Sequence, residues 1–112
     1  MNQPSTLGIF TIKQGKDKEF IENWHKAVEF TMSQYKISGD GPRLYQDSNN
    51  PRVYYSYGIW NNMNDINTWR EQTEDSEFMR TFRDLCDNVE RHVLKFVAEV
   101  PVGQKQKVGT RQ

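Results

Sequence analysis

The chain has 112 residues, and its 15 Lys plus Arg balance 15 Asp plus Glu, so the formal net charge is zero. That length fits one domain with a real hydrophobic core, and the charge balance argues against a dedicated nucleic-acid binder, which carries a basic excess on one face. The single cysteine, Cys86, excludes an intramolecular disulfide framework. No apolar run approaches the ~20 residues that span a bilayer. The opening MNQPSTLGIF has neither a basic n-region nor an apolar h-region, so a cytoplasmic protein is expected.

Ser5 to Lys13 reads as a first strand. Leu7, Ile9 and Thr11 fall on one side and Gly8, Phe10 and Ile12 on the other. Gln14-Gly15 ends it. A long amphipathic helix is predicted from about Lys16 to Tyr35, with Phe20, Ile21, Trp24, Ala27, Val28, Thr31, Met32 and Tyr35 at spacings of three and four. Asn23 falls on the polar side of that wheel. Phe30 lies off the apolar stripe and is a candidate contact beyond the local sheet.

Ser38-Gly39-Asp40-Gly41-Pro42 reads as a loop, and Arg43 to Asp47 as a short second strand. Ser48-Asn49-Asn50-Pro51 turns the chain into a third strand, Arg52 to Trp60, completing a hairpin. Val53, Tyr55, Tyr57 and Ile59 share one face of it; Tyr54, Ser56, Gly58 and Trp60 share the other. Neither face is charged, so both should be covered. Asn61 or Asn62 can cap a helix carrying Ile66 and Trp69. Glu71 to Asp75 interrupts it. A further helix is predicted from about Ser76 to Arg91, with Phe78, Met79, Phe82, Leu85, Cys86 and Val89 inward. His92 to Val100 reads as a fourth strand. Residues 101–112 read as a polar tail, leaving 1–100 as the domain.

The order strand, helix, strand, strand, helices, strand is the ferredoxin-like βαββαβ arrangement, an α+β fold with a four-stranded antiparallel sheet. Helices cover one face of such a sheet. Strands one and three are apolar on both sides, so a second sheet should cover the other face. A symmetric homodimer supplies it.

Several stretches resemble the antibiotic biosynthesis monooxygenase (ABM) domain family of the dimeric α+β barrel superfamily. They are Lys13-Gln14-Gly15-Lys16 followed by Phe20 and Trp24, Leu44 in strand two, Tyr57-Gly58-Ile59-Trp60, and Phe78. The match runs from about Thr6 to Val100. The resemblance implies a dimeric α+β barrel with a ligand pocket between each sheet and its own helices. In the haem-degrading branch, an Asn would stand at Gly8, a Trp at Trp69 and a ligating His near Phe82. Two of these three are absent here, so haem chemistry is not expected. In the anthrone-oxygenating branch, Trp60 matches a Trp, Ser56 replaces an Asn, Ile66 replaces a Tyr, and Arg80 or Arg83 stands for an Arg.

The resemblance therefore implies a cofactor-independent monooxygenase-like protein acting on a small phenol- or quinol-type aromatic. His25 and Arg83 are its candidate catalytic residues. Trp24, Ser56, Trp60, Trp69 and Phe82 are its candidate substrate-binding residues. Each also has an ordinary role open to it: core packing for the tryptophans and Phe82, a surface edge for His25, and solvation or pairing on the helix for Arg83. His92 reads as a strand-end residue. One Cys and two distant His make no metal set, and no cofactor is expected. The alternative is a non-catalytic dimeric module of the same fold that binds a small ligand or a partner. A cavity in the helix–sheet interface, with a polar group inside, would separate the two.

Overall fold

The computed structural model describes residues 3–101. Beyond Pro101, the expected tail lies outside the described residues. The elements are β1 (Ser5–Ile12), α1 (Asp17–Gln34), β2 (Ile37–Gln46), β3 (Val53–Trp60), α2 (Met63–Thr73), α3 (Glu77–Leu85) and β4 (Cys86–Leu94). The four strands form one antiparallel sheet in the order β2-β3-β1-β4. This is the ferredoxin-like α+β fold.

The register places matching residues in rows across the helix-covered face. One row runs Gly58, Thr6, Val93; the next Ser56, Gly8, Arg91; the next Tyr54, Phe10, Val89. Successive strand residues alternate faces, so Tyr57, Leu7 and His92 form a row on the opposite side, and Tyr55, Ile9 and Glu90 form another.

Four features differ from the sequence expectation. First, β4 begins at Cys86 and ends at Leu94, whereas a helix to Arg91 and a strand over His92 to Val100 were expected. Asp87 and Asn88 are poor helix formers, and Val89 and Val93 are β-branched. The free edge of β1 offers them a full ladder, which ends where β1 begins, at Ser5 opposite Leu94. Beyond that point there is no strand to pair with, and Val97 and Val100 stand 84% and 70% exposed.

Second, the expected 38–42 loop lies inside β2. Ile37 and Ser38 pair with Trp60 and Ile59, and pairing resumes at Arg43 opposite Tyr57. Gly39 and Gly41 take left-handed φ values of 70° and 91°, so the extra residues bulge out and return to the ladder.

Third, α1 is rotated slightly from the predicted wheel. Asn23 is buried, and its side-chain amide donates to the Phe78 carbonyl at 2.9 Å. Met32 is 51% exposed. Fourth, Phe30 meets a local partner after all, the ring of Phe78 on α3, with centroids 5.7 Å apart. Both helix starts after β3 are capped, the first by Asn62, one of the two asparagines the sequence offered. Asn62 accepts from the Asp65 amide at 2.8 Å, and Ser76 accepts from the Met79 amide at 3.3 Å.

Candidate functional site

The helices meet the sheet in two different ways. Over the Tyr54–Phe10–Val89 row, side chains fill the space. Phe20 is fully buried and touches Phe10, Tyr54 and Phe82, with centroids 5.1, 5.0 and 5.6 Å away. Phe10 and Phe82 close the set at 4.9 Å. Over the next two rows the strand positions are Ser56 and Gly8, then Gly58 and Thr6. They are too small to reach the helices. A cavity of about 110 Å³ remains there, partly open to solvent.

Gly8 matters to both regions. A Cβ at that position would come within 2.8 Å of the Phe10 ring, so only glycine lets that ring lie back over the strand. At Gly58 a Cβ would meet nothing nearer than Pro42, at 3.7 Å, an ordinary contact.

All three tryptophans of the chain line this cavity. Each indole N–H donates to a hydroxyl: Trp24 to Ser56 at 2.9 Å, Trp60 to Thr6 at 3.0 Å, and Trp69 to Thr31 at 2.9 Å. These bonds fix the ring orientations. The Trp60 and Trp69 rings also touch, with centroids 5.3 Å apart. The Thr31 hydroxyl spends its own hydrogen on the Ala27 carbonyl at 2.8 Å. The hydroxyl hydrogens of Ser56 and Thr6 have no acceptor among the described residues. A hydroxyl rotates to suit its partner, so these two donors remain for a ligand.

Five of the expected site residues, Trp24, Ser56, Trp60, Trp69 and Phe82, come together around this one cavity. The other two lie elsewhere. His25 is exposed on α1, its ring edge-on to Trp24 at 5.3 Å, and borders a shallow surface depression with Ile21 and Tyr45. Arg83 is exposed in the last turn of α3 and does not line the cavity. Ile66, where the resemblance implies a Tyr, is fully buried.

Two residues outside the expected site set also line the cavity: Arg70, whose stem shares the helical stripe of Ile66 and Trp69 on α2, and Arg91 of β4. Arg91 stands opposite Gly8, on the helix-covered face. Although Arg91 is exposed as a residue, its guanidinium is held below its ordinary pKa. Burial is the largest cause, followed by the positive charges of Arg70 and Arg83; Glu74 opposes them. The sequence signal for Arg91 was the β-branched alternation of Val89 and Val93, which sets it on a strand. The helix-period reading concealed it. Among the described residues, no carboxylate lines the cavity. His92 borders the cavity from β4, and its ring contacts Glu90, two residues back on the strand, at 3.2 Å. Among the described residues, no three His, Cys, Asp or Glu side chains gather as a metal set. Cys86 is buried, and burial first, then Asp87, pushes its thiol up to about 11, so it is no nucleophile at neutral pH.

The described residues of the lining offer donors, cations and aromatic faces, and no carboxylate. They suit a flat ring bearing acceptor oxygens. The volume is close to the 150 Å³ or so of an engineered cavity that holds one benzene, and smaller than the roughly 300–1,000 Å³ of drug-sized pockets.

No protein-family model matches the chain, and no curated protein matches it. Solved structures do. SnoaB, a cofactor-independent oxygenase from Streptomyces nogalater, superposes with a TM-score of 0.74 at 16% identity, over 91% of this chain and 98% of SnoaB. A Methanosarcina mazei protein superposes with a TM-score of 0.75 at 15% identity, over 87% of this chain and 95% of that one. A Nitrosomonas europaea protein, named as a candidate antibiotic biosynthesis monooxygenase, gives 0.71 at 15% identity, over 88% and 92%. The chain has the ABM-like fold that SnoaB and the Nitrosomonas protein share.

Proposed function

We propose that the protein is a cytoplasmic, homodimeric, cofactor-independent oxygenase of a one-ring phenol or quinol bound among Trp24, Trp60 and Trp69. The observation that carries this reading is the cavity's inventory: three indoles fixed by hydrogen bonds, two free hydroxyl donors and two guanidinium groups, with no carboxylate among the described lining residues. Donors and a cation stabilise a phenolate over the neutral phenol. The phenol's proton can then leave to solvent through the open side, without a side-chain base. His25 is not needed for that step.

The quinol anion gives electrons to O2. A ring C–H bond breaks, and a C–O bond forms to one oxygen atom. The other oxygen leaves as water with two of the substrate's hydrogens. Quinol plus O2 yields hydroxyquinone plus water, and the ring supplies all four electrons. Similarity of fold to SnoaB, an oxygenase of this cofactor-independent kind, supports the reading. The test is oxygen uptake with a panel of one-ring quinols, with ¹⁸O₂ label followed into the product. Label in the hydroxyquinone, unchanged in His25→Ala and lost when Ser56→Leu fills the cavity, supports it. Background uptake across the panel, with tight binding retained, favours the non-catalytic ligand-binding module.

The uncovered sheet face supports the homodimer. Leu7, Ile9, Tyr55 and Ile59 are only half-buried there, while Tyr45 and Tyr57 are 51% and 36% exposed. Aromatic and aliphatic side chains in that setting favour a second sheet over water. Sedimentation is expected to give twice the chain mass. A monomer at micromolar concentration contradicts it.

A further inference from the structure

Arg70 of α2 and Arg91 of β4 both line the cavity, and Arg83 of α3 stands near enough for its charge to act on Arg91. Among the described residues, none of the three makes an ion pair or a side-chain hydrogen bond. Lys16–Glu19, Arg52–Asp87 and His92–Glu90 are ion-paired, all elsewhere. At Arg91 the charge of Glu74 opposes those of Arg70 and Arg83. The rim therefore carries surplus positive charge on a chain whose net charge is zero.

Gathering like charges costs free energy unless an anion offsets it. Surface arginines usually spread out or pair with neighbouring acids. Here two of the three, Arg70 and Arg91, also line the space where a ring would sit. Arg91 stands opposite Gly8 in the register.

We propose that Arg70 and Arg91, backed by Arg83, form a carboxylate-binding rim, and that the ring held among the indoles carries an acidic side group directed at it. A guanidinium presents a planar fork of N–H donors that matches a carboxylate in bidentate geometry. The cavity is too small to enclose both ring and side group. The ring fills it, and the carboxylate stays at the open side. Wall and rim then divide the work: the hydroxyls of Ser56 and Thr6 face the ring oxygens, and the arginines select the acid. This inference rests on the ring reading above and narrows its substrate class.

The test is calorimetric binding, without oxygen, of hydroquinone and of 2,5-dihydroxyphenylacetate, which adds one carboxylate to the same ring. The acid is expected to bind about tenfold tighter or better, the scale of one charge-assisted contact. That preference should fall with added salt. It should vanish in Arg70→Gln/Arg91→Gln, survive in Arg91→Lys in reduced form, and be unchanged in the exposed charge control Lys26→Gln. Equal affinity for the two compounds overturns the rim while leaving the ring reading intact, as does a preference that persists in the double variant. Binding of neither compound overturns both. Tight binding of the acid without oxygen uptake supports the rim and overturns the oxygenase.

Discussion

The two ends of the helix–sheet interface are built from the same strands and differ in one respect: what stands at the helix-facing positions. At one end Phe10, Tyr54 and Ile12 reach up to Phe20 and Phe82 and leave no space. At the other, Gly8, Ser56, Gly58 and Thr6 stop short, and the gap is roofed by indoles held in place by hydroxyls. The closed end is held by dispersion and apolar burial, which reward contact and tolerate no gap. The open end is held by hydrogen bonds that fix rings around a space. A fold can keep a cavity when its walls are positioned by bonds that do not require the centre to be filled.

Changing the closed end should cost the most. Phe20→Ala removes a fully buried ring with three aromatic neighbours and should destabilise the fold by about 3–5 kcal/mol in a urea titration. A loss below about 1 kcal/mol would mean that this end is less closely packed than described. The two cavity glycines sharpen the contrast. Gly8→Ala forces the Phe10 ring aside and should cost about 1–3 kcal/mol. Gly58→Ala meets only an ordinary contact with Pro42 and should stay within about 0.5 kcal/mol of the parent. Equal costs would remove the distinction between the two positions.

Confined to alkaline solution is a pH dependence at the edge of the closed end. The Tyr54 hydroxyl donates to Asp17 at 2.6 Å and accepts from Gln46 at 3.2 Å. Burial first, and then the hydrogen bond and charge of Asp17, push its pKa up to about 12. An unfolded tyrosine titrates near 10. Between those values the unfolded chain has lost a proton that the folded one keeps, so stability should fall as pH rises from about 10 to about 12. Tyr54→Phe should flatten that slope and cost about 1 kcal/mol at neutral pH. Midpoints that fall equally steeply in parent and variant would assign the slope to another group.

Much of this was legible in the sequence because it depends on alternation and helical period. The double-faced pattern of β1 and β3, the hairpin between β2 and β3, the Asn62 cap and the shared face of Ser56 and Trp60 all follow from spacing. Two things depend on register and were not legible. Cys86 to Arg91 fit a helical wheel as well as a strand, and only the open edge of β1 decides between them. Arg91 is therefore visible as a cavity residue only once it stands opposite Gly8. The burial of Asn23 is of the same kind, since its partner is a main-chain carbonyl 55 residues away. His25 illustrates the reverse case. It neighbours a cavity residue in sequence, but one step along a helix turns its side chain by about 100°, onto the surface.

The central claim is that a one-ring quinol enters the space between the three indoles. Because the chain has three tryptophans and all three line that space, the indole N–H region of a ¹⁵N–¹H spectrum reports on it selectively. Titration with 2,5-dihydroxyphenylacetate under nitrogen should shift all three indole signals together along one binding curve, while the amide signals of Phe20 and Tyr54 at the closed end stay in place. Indole signals that remain fixed at saturating ligand, or shifts that gather instead around His25 and Tyr45, would contradict it.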